Sequence, residues 1–567
     1  MGTSGNRAGY KVFSINTTVR NPQRNIEFLN IIKEYDGKKL TKDIKEDIYV
    51  ELIKHGIYQV TIKSEAVKEK YKENIPLEDD EIIKLIKDNP QKTKNRGRVM
   101  TQIRALKDQG LISLLGNKNK PLLKITKLGK DLLQHKNVED VYCKAMIGLH
   151  ANNPQRKAMH NESRPFLNTL FVLDELEKYC KENMLEYKGL LYHEFGIFVL
   201  SMKDCNYKLA VKKIIEYREK YGKTINEEYI NDYLYNDLNL IEVNLESIVK
   251  EYPDDVTRKF EMTSIIETHG YSHYTYLRIN EFNRAKANSI MNKYKEYSFQ
   301  KFQTTEEYEE FLYNVELPWK LSDELKLEIV EKKEKELNIK ISNKKSLDEK
   351  IEELDNIYNE NIFRRFVENV DLNLIIKEIL IIGKHLKSKS KFDGITESLR
   401  LEWLIAVLVA KVYGEECVKP NMLLNSNGTP KFYAKGGKAD IEFETNNIYY
   451  ILETTTISNA NQQFNSETTS VADHLDSIVT EKNKAAILIA PIIHKRTISF
   501  YRYCCESIFK NMLPITIDKF IDLVYNNQEE EVLIKEVIKM INKLKNSSDE
   551  EFYDSINEYR SDWISLQ

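Results

Sequence analysis

The chain has 567 residues, 41% hydrophobic and 31% charged, with only 20 Gly and 12 Pro. This composition excludes collagen-like, proline-rich and wholly disordered chains, and the length predicts about three to five globular units. Lys+Arg (85) and Asp+Glu (88) nearly cancel to −3, which leaves a nucleic-acid partner open because the placement of charge decides that, not its sum. Abundant Lys, Glu, Leu and Ile with little Gly predict a mainly helical protein. The six cysteines (143, 180, 205, 417, 504, 505) form no C-x-x-C, so neither a disulfide framework nor a structural zinc is expected, and the vicinal Cys504-Cys505 reads as two ordinary thiols. The opening MGTSGNRAGYKVF lacks an apolar h-region, and Asn6 breaks the myristoylation pattern. No apolar run approaches the ~20 residues of a membrane span, so a cytoplasmic protein with no membrane partner is expected.

Residues 1–150 read as a first unit. Helical spacing of apolar residues covers 25–35 and 40–55. A basic stretch follows over 84–130, with thirteen Lys/Arg against Asp88 and Asp108. Its local pattern predicts a helix through RGRVMTQIRALKD stopped near Gly110, strands over 111–115 and 122–126 joined by a turn at 116–121, and a helix entered at Thr126. Helix, hairpin, helix is the order of a winged helix, whose helix before the wing can enter a DNA major groove. Arg96, Arg98 and Arg104 sit on or just before that helix, and Arg20 and Arg24 lie in the basic opening; these five are the candidate DNA contacts. The bland alternative is a solvated basic helix with a hairpin.

Residues 151–302 read as a second helical recognition unit. Amphipathic stretches cover 166–179 and 189–202, and a second winged pattern has its helix near 256–269 with a hairpin after it. The tract THGYSHYTYLRINEF mixes His269, Tyr271, His273, Tyr274, Tyr276 and Arg278, a mixture that can face nucleic acid or form a half-buried strand. Residues 303–390 carry apolar residues three and four apart between charges, as in a helical linker. Residues 391–567 differ: a helix over 397–413, strands over 438–445 and 448–455, a helix over 471–484, a buried strand over 485–491 and closing helices make an α/β module.

That module holds the chemistry. A two-residue turn at Asn446-Asn447 pairs Thr445 with Ile448 and so sets Asp440 directly opposite Glu453, their Cβ atoms roughly 4.5–5.5 Å apart. Two carboxylates so close need a shared proton or a cation, and an oxygen-only pair suits Mg²⁺. Asp, a strand turn, then Glu thirteen residues later is the pattern of PD-(D/E)xK nucleases. Glu453 stands in an otherwise apolar or hydroxylic strand, where an acid is costly without a role. Glu402, in the apolar helix LEWLIAVLVA, is the extra carboxylate such sites carry upstream. The alternatives are a Glu402 paired with Arg400 or Lys411, and an Asp440–Glu453 pair facing solvent on an edge strand. Glu442 and Glu444 share a strand face with Asp440 and read as bystanders.

The tract TTVRNPQRNIEFLNII (17–32) resembles the N-terminal signature of AlwI-family type IIS restriction endonucleases. LEWLIAVLVAKVYG, GGKADIEFE and YYILETTTISNANQQFNSETTSVADH resemble their cleavage domain. The family includes strand-nicking relatives such as BstNBI. The resemblance implies an Mg²⁺-dependent enzyme that binds duplex DNA at a short asymmetric site of the GGATC or GAGTC kind and cuts outside it. Either transient dimerisation or a second subunit would then serve double-strand cleavage. It implies catalytic roles for Glu402, Asp440 and Glu453, and adds Glu467 and His474. Two positions depart from the wider nuclease pattern: Ala439 stands where many have Pro, and Thr455 occupies the motif-lysine position, leaving Lys438, Lys482 or a second metal to replace that ammonium. The rival is a DNA-binding protein with an inactive nuclease-like domain.

Overall fold

The computed structural model describes residues 11–17, 19–55, 57, 80, 81, 83, 84, 96–117, 119–135, 137–156, 161–240, 244–270, 274–384, 386, 388, 390, 392 and 394–558. They are mostly helical with a mixed sheet. They divide into two compact units, one drawn from 1–45 and 97–358, the other from 46–96 and 359–567.

In the first unit, α1 (Arg24–Ile32) buries Ile26, Phe28, Leu29, Ile31 and Ile32. Asn25, on the same helix, is wholly buried, and its side-chain amide donates to Gln109 Oε1 (2.8 Å) and to the Tyr142 hydroxyl (2.7 Å). The signature tract is therefore structural at its centre: a buried amide must be satisfied, and two side chains from other segments do it. Helix α2 (Arg96–Asp108) ends before Gly110 and leads into the antiparallel pair β1 (Ile112–Leu115) and β2 (Leu122–Ile125), with Ile112 opposite Ile125 and Leu115 opposite Leu122. Thr126 then caps α3 (Lys127–Leu133) by accepting from the Gly129 N–H, while its hydroxyl reaches the Gly110 and Leu111 carbonyls. Gly129 is required there: a Cβ would stand 2.1 Å from the Leu111 carbonyl oxygen. The I-T-x-x-G step is thus a cap plus a close helix–strand approach.

Helix α4 (Val138–Ile147) and α5 (Pro165–Glu182) continue the core. The stretch 189–202 opens as a strand, β3 (Leu190–Leu191), because Leu190 and Leu191 pair with Leu277 and Tyr276. Helix α6 (Tyr252–Glu261) is shorter than the 256–269 pattern predicts. Ser264 takes a left-handed φ of 58°, and 266–269 leaves as β4 (Ile266–His269), antiparallel to β5 (Tyr276–Ile279). Tyr271 and His273 lie outside the described residues. Asp255 on α6 accepts from the Ile15 and Asn16 N–H groups (2.9 and 3.0 Å), and buried Lys259 bonds to Asp255 and the Val19 carbonyl, clamping the N-terminal segment to this helix. The 303–390 segment is mainly helical where described, and is shared between the units at 358/359. Its first helix, α7 (Thr305–Tyr313), buries Tyr308 and Leu312 in the first unit.

The second unit is built on a five-stranded sheet, order β12-β11-β10-β9-β6. Its strands are β6 (Val418–Pro420), β9 (Ile441–Glu444), β10 (Ile448–Thr454), β11 (Asn483–Ala490) and β12 (Asn511–Thr516). A separate two-stranded piece joins β7 (Leu423–Leu424) to β8 (Pro430–Phe432). Strands β10, β11 and β12 run parallel, and β9 is antiparallel to β10. Helix α8 (Glu397–Tyr413), buried from Leu399 to Ala410, packs against β9 and β10. Between β10 and β11 the chain forms α9 (Ala460–Glu467) and α10 (Thr469–Ser477). The helix expected over 471–484 stops at Ser477, because from Asn483 the backbone pairs with β10. All six cysteines are free, Cys504 and Cys505 buried. Among the described residues no helix is long and apolar enough to cross a membrane.

Candidate active site and nucleic-acid face

The β9–β10 register is the one the Asn446-Asn447 turn predicts: Tyr449 faces Glu444 and Leu452 faces Ile441. One step further along, Asp440 comes opposite Glu453. Asp440 lies just before β9, after a turn in which Gly437 holds φ 82°. Glu453 is on the central strand and 6% exposed. The edge-strand alternative is therefore excluded. Thr454 donates to Asp440 Oδ2 from its N–H (2.9 Å) and its hydroxyl (3.2 Å). His474 Nδ1 lies 2.7 Å from Glu453 Oε1.

Glu402 reaches the same place from α8. It pairs with neither Arg400, which bonds to the Phe392 carbonyl, nor Lys411, which bonds to the Glu368 carbonyl. Its Oε1 is buried with no hydrogen-bond partner. Burial first, then the charges of Asp440 and Glu453, push its carboxyl well above the usual range. Asp440 is also raised well above its ordinary value, by burial and then by Glu453 and Glu467, against the lowering effect of Thr454. Glu467, at the end of α9, is pushed up to about 7 by burial and Glu453, with the Thr455 hydroxyl opposing. His474 is raised, chiefly by its hydrogen bond to Glu453.

Four carboxylates and one imidazole from a helix, two strands and the crossover thus converge, and their mutual repulsion calls for positive charge. Among the described residues no group of three His, Cys, Asp or Glu side chains is drawn together tightly enough to form a metal cage. Two carboxylates completed by water and phosphate oxygens are a donor set that Mg²⁺ can take. The orphaned Glu402 oxygen is the observation that fits a missing cation. Asp440 and Glu453 are the residues that could hold it.

Lys482 does not replace the motif lysine. It bonds to Glu444 (2.7 Å) and the Thr445 carbonyl (2.6 Å) at the hairpin turn, the far end of the strands from Asp440 and Glu453. Lys438 is exposed two residues before Asp440. Thr455 is buried, its N–H bonded to the Ile489 carbonyl (3.0 Å). The bystanders are accounted for: Glu442 accepts from Asn421 and Tyr449, and Glu444 pairs with Lys482. Thr454 was not legible as a site residue; its one signal is its place beside Glu453 in the hydroxyl run ETTT.

The candidate DNA contacts divide sharply. Arg20 is held by Glu251 (3.2 Å) and Asp254 (3.7 Å). Arg24 lies 3.8 Å from Glu27 and over the Phe28 ring. Arg96 and Arg98 open α2, but their side chains lie outside the described residues, as do Lys87, Lys92, Lys94 and Lys118. Lys124, Lys127 and Lys130 are paired with Glu309, Glu310 and Asp36. Arg104 is exposed and makes no ion pair among the described residues. His269 and Arg278 both bond to buried Glu267 (2.6 and 2.7 Å).

A family model described as AlwI restriction endonuclease matches residues 107–523. No curated protein matches. Among solved structures, the chain is similar to the small subunit (R.BspD6I2) of the heterodimeric restriction endonuclease R.BspD6I, at 18% identity over 34% of this chain and 95% of that one, with a TM-score of 0.27. It is similar to the BpuJ1 endonuclease binding domain, solved with pyrene- and phenanthrene-modified DNA, at 12% identity over 58% and 96%, TM-score 0.32. It is also similar to the restriction endonuclease FokI, at 11% identity over 94% and 99%, TM-score 0.24.

Proposed function

The chain belongs to the AlwI restriction endonuclease family, and from that membership we propose a type IIS enzyme with a PD-(D/E)xK site in its second unit. The observation that carries the reading is the convergence of Glu402, Asp440, Glu453 and Glu467 around a central strand, with three of the four held above their ordinary pKa range. A purely structural role leaves such repulsion unexplained, whereas phosphodiester hydrolysis uses it to hold a cation.

Asp440 and Glu453 would hold Mg²⁺, which when bound supplies neutralisation of the scissile phosphate and a more acidic water. Thr454 fixes the Asp440 carboxylate through two hydrogen bonds. His474 fixes Glu453 through Nδ1, leaving Nε2 for water or phosphate. Glu467, poised near neutrality, accepts a proton from the attacking water; Glu402, buried and held toward its neutral form, can take or give up a proton as the charge beside it changes. In the first unit, the α2–β1–β2–α3 order supports a winged helix that presents α2 to a major groove. Base contacts there would select a site of about five base pairs, of the GGATC or GAGTC kind, while phosphate contacts set register. One nuclease unit carries one site and cuts one strand, so the chain alone nicks, and a second copy or subunit completes a double-strand break.

Incubating the protein with a plasmid of known sequence and Mg²⁺, beside Asp440→Asn, and mapping ends by run-off sequencing tests this. Breaks at a constant distance from one short motif are expected, absent with the variant while duplex binding persists. Duplex binding without cleavage under any divalent metal would instead favour a binding protein.

A further inference from the structure

The first unit contains an open groove of about 920 Å³ beside α2. Four segments line it: one face of α2 through Met100, Arg104 and Lys107, the β1–β2 hairpin through Leu115 and Pro121, the loop holding Asn152 and Gln155, and the segment that runs through Gln303 into α7. The spacing 100, 104, 107 is a single helix face, so the groove runs along the side of the helix that a winged-helix reading places against DNA.

Its polar groups fall into two classes. Lys107 donates to the Gln155 carbonyl (2.6 Å) and lies 3.7 Å from Asp108; burial lowers its pKa. Gln155 donates to the Ser113 hydroxyl (3.1 Å), and its N–H donates to Asn153 Oδ1 (3.0 Å). Lys301, also on the wall, pairs with Glu162 (3.1 Å). These groups brace the loop against α2 and the hairpin, and the Gln155 side-chain oxygen is left buried without a partner. Thr305 and Glu306, in the first turn of α7, complete the polar lining, and the second class is the uncommitted donors. The Arg104 guanidinium and the side-chain amides of Asn152 and Gln303 line the same groove and make no hydrogen bond to another described residue.

We propose that Arg104, Asn152 and Gln303 are specificity-determining residues that read base edges of duplex DNA in this groove, Arg104 a guanine and the two amides adenines. The assignment rests on the reading of the chain as a site-specific nuclease. A fork of N–H donors matches guanine O6 and N7, and a carboxamide matches adenine N6 and N7. A groove that held only phosphate would need cations alone, and two of its three lining cations are spent on the protein itself. The braced loop supplies what base reading needs: amides held at fixed positions by a rigid frame.

The test is selection from a randomised duplex library by the full-length chain in EDTA, for wild type, Arg104→Ala, Asn152→Ala and Gln303→Ala, with melting temperature as the fold check. Wild type is expected to select one short motif. Each variant is expected to lose about 10- to 100-fold discrimination at one position, a guanine for Arg104 and an adenine for each amide, with the other positions unchanged. Variants that keep the wild-type motif and its discrimination, or that lose affinity equally for every sequence with a shallower salt dependence, overturn the assignment. A wild type that binds duplex but selects no motif overturns the parent reading and this one together.

Discussion

Replacing Glu467 by Gln should stabilise the protein at neutral pH while impairing cleavage. In the folded chain this carboxyl rises from its ordinary 4.5 to about 7, through burial and then the charge of Glu453. The folded state therefore binds the proton more tightly than the unfolded one. The stabilisation from that proton is complete below pH 4.5 and is lost as pH rises through about 7. The difference corresponds to about 3 kcal/mol. Glutamine keeps the shape and never ionises, so the variant should match wild type at pH 4.5 and exceed it at pH 8. For a unit of this size each kcal/mol moves Tm by about 2–4 °C, which gives an increase of about 6–12 °C. Scanning calorimetry of the full chain in EDTA at both pH values measures it. Added Mg²⁺ should raise the wild-type Tm at pH 8 more than the variant's, because the cation relieves the same repulsion. Equal melting at pH 8, or a lower value for the variant, would refute the claim that the acids are held against their own repulsion.

Other perturbations follow from neighbouring geometry. Asp255→Ala strands buried Lys259 and frees the Ile15 and Asn16 amides, so a loss of about 3–5 kcal/mol is expected, with earlier proteolysis and faster amide exchange at the N-terminal segment. Gly129→Ala forces a Cβ to within 2.1 Å of the Leu111 carbonyl and should cost about 1–3 kcal/mol in denaturant melts while weakening duplex binding through the displaced hairpin. His474→Ala should lower the cleavage rate about 100-fold with duplex affinity unchanged, and should flatten the acid limb of the pH–rate profile.

Much of the site was legible because it depends on short-range rules. A two-residue turn sets the register of its hairpin, so Asp440 opposite Glu453 could be counted from Asn446-Asn447 alone. Gly110 marked the helix stop and Thr126 the entry to the next helix for the same reason. Helix ends that answer to distant partners were not legible. The 471–484 pattern continues helically in sequence, but β10 offers a strand edge at Asn483 and the ladder wins. Thr454 escaped notice because a hydroxyl's value lies in which carboxylate it meets, and that is a cross-strand fact.

The amino-acid sequence by itself determined the helical majority, the order of elements around both hairpins, and the identity of the acids on the central strand, since propensity, turn chemistry and apolar patterning act within a few residues. Only the tertiary structure decided which charges are available. The excess of basic residues over 84–130 looks continuous along the chain, yet Lys124, Lys127 and Lys130 meet Glu309, Glu310 and Asp36, and Arg20 meets Glu251 and Asp254. Arg104, by contrast, makes no ion pair among the described residues. Coulomb interactions act through space over a few ångströms, so the neighbours that neutralise a charge are set by the fold and not by the spacing of residues along the chain.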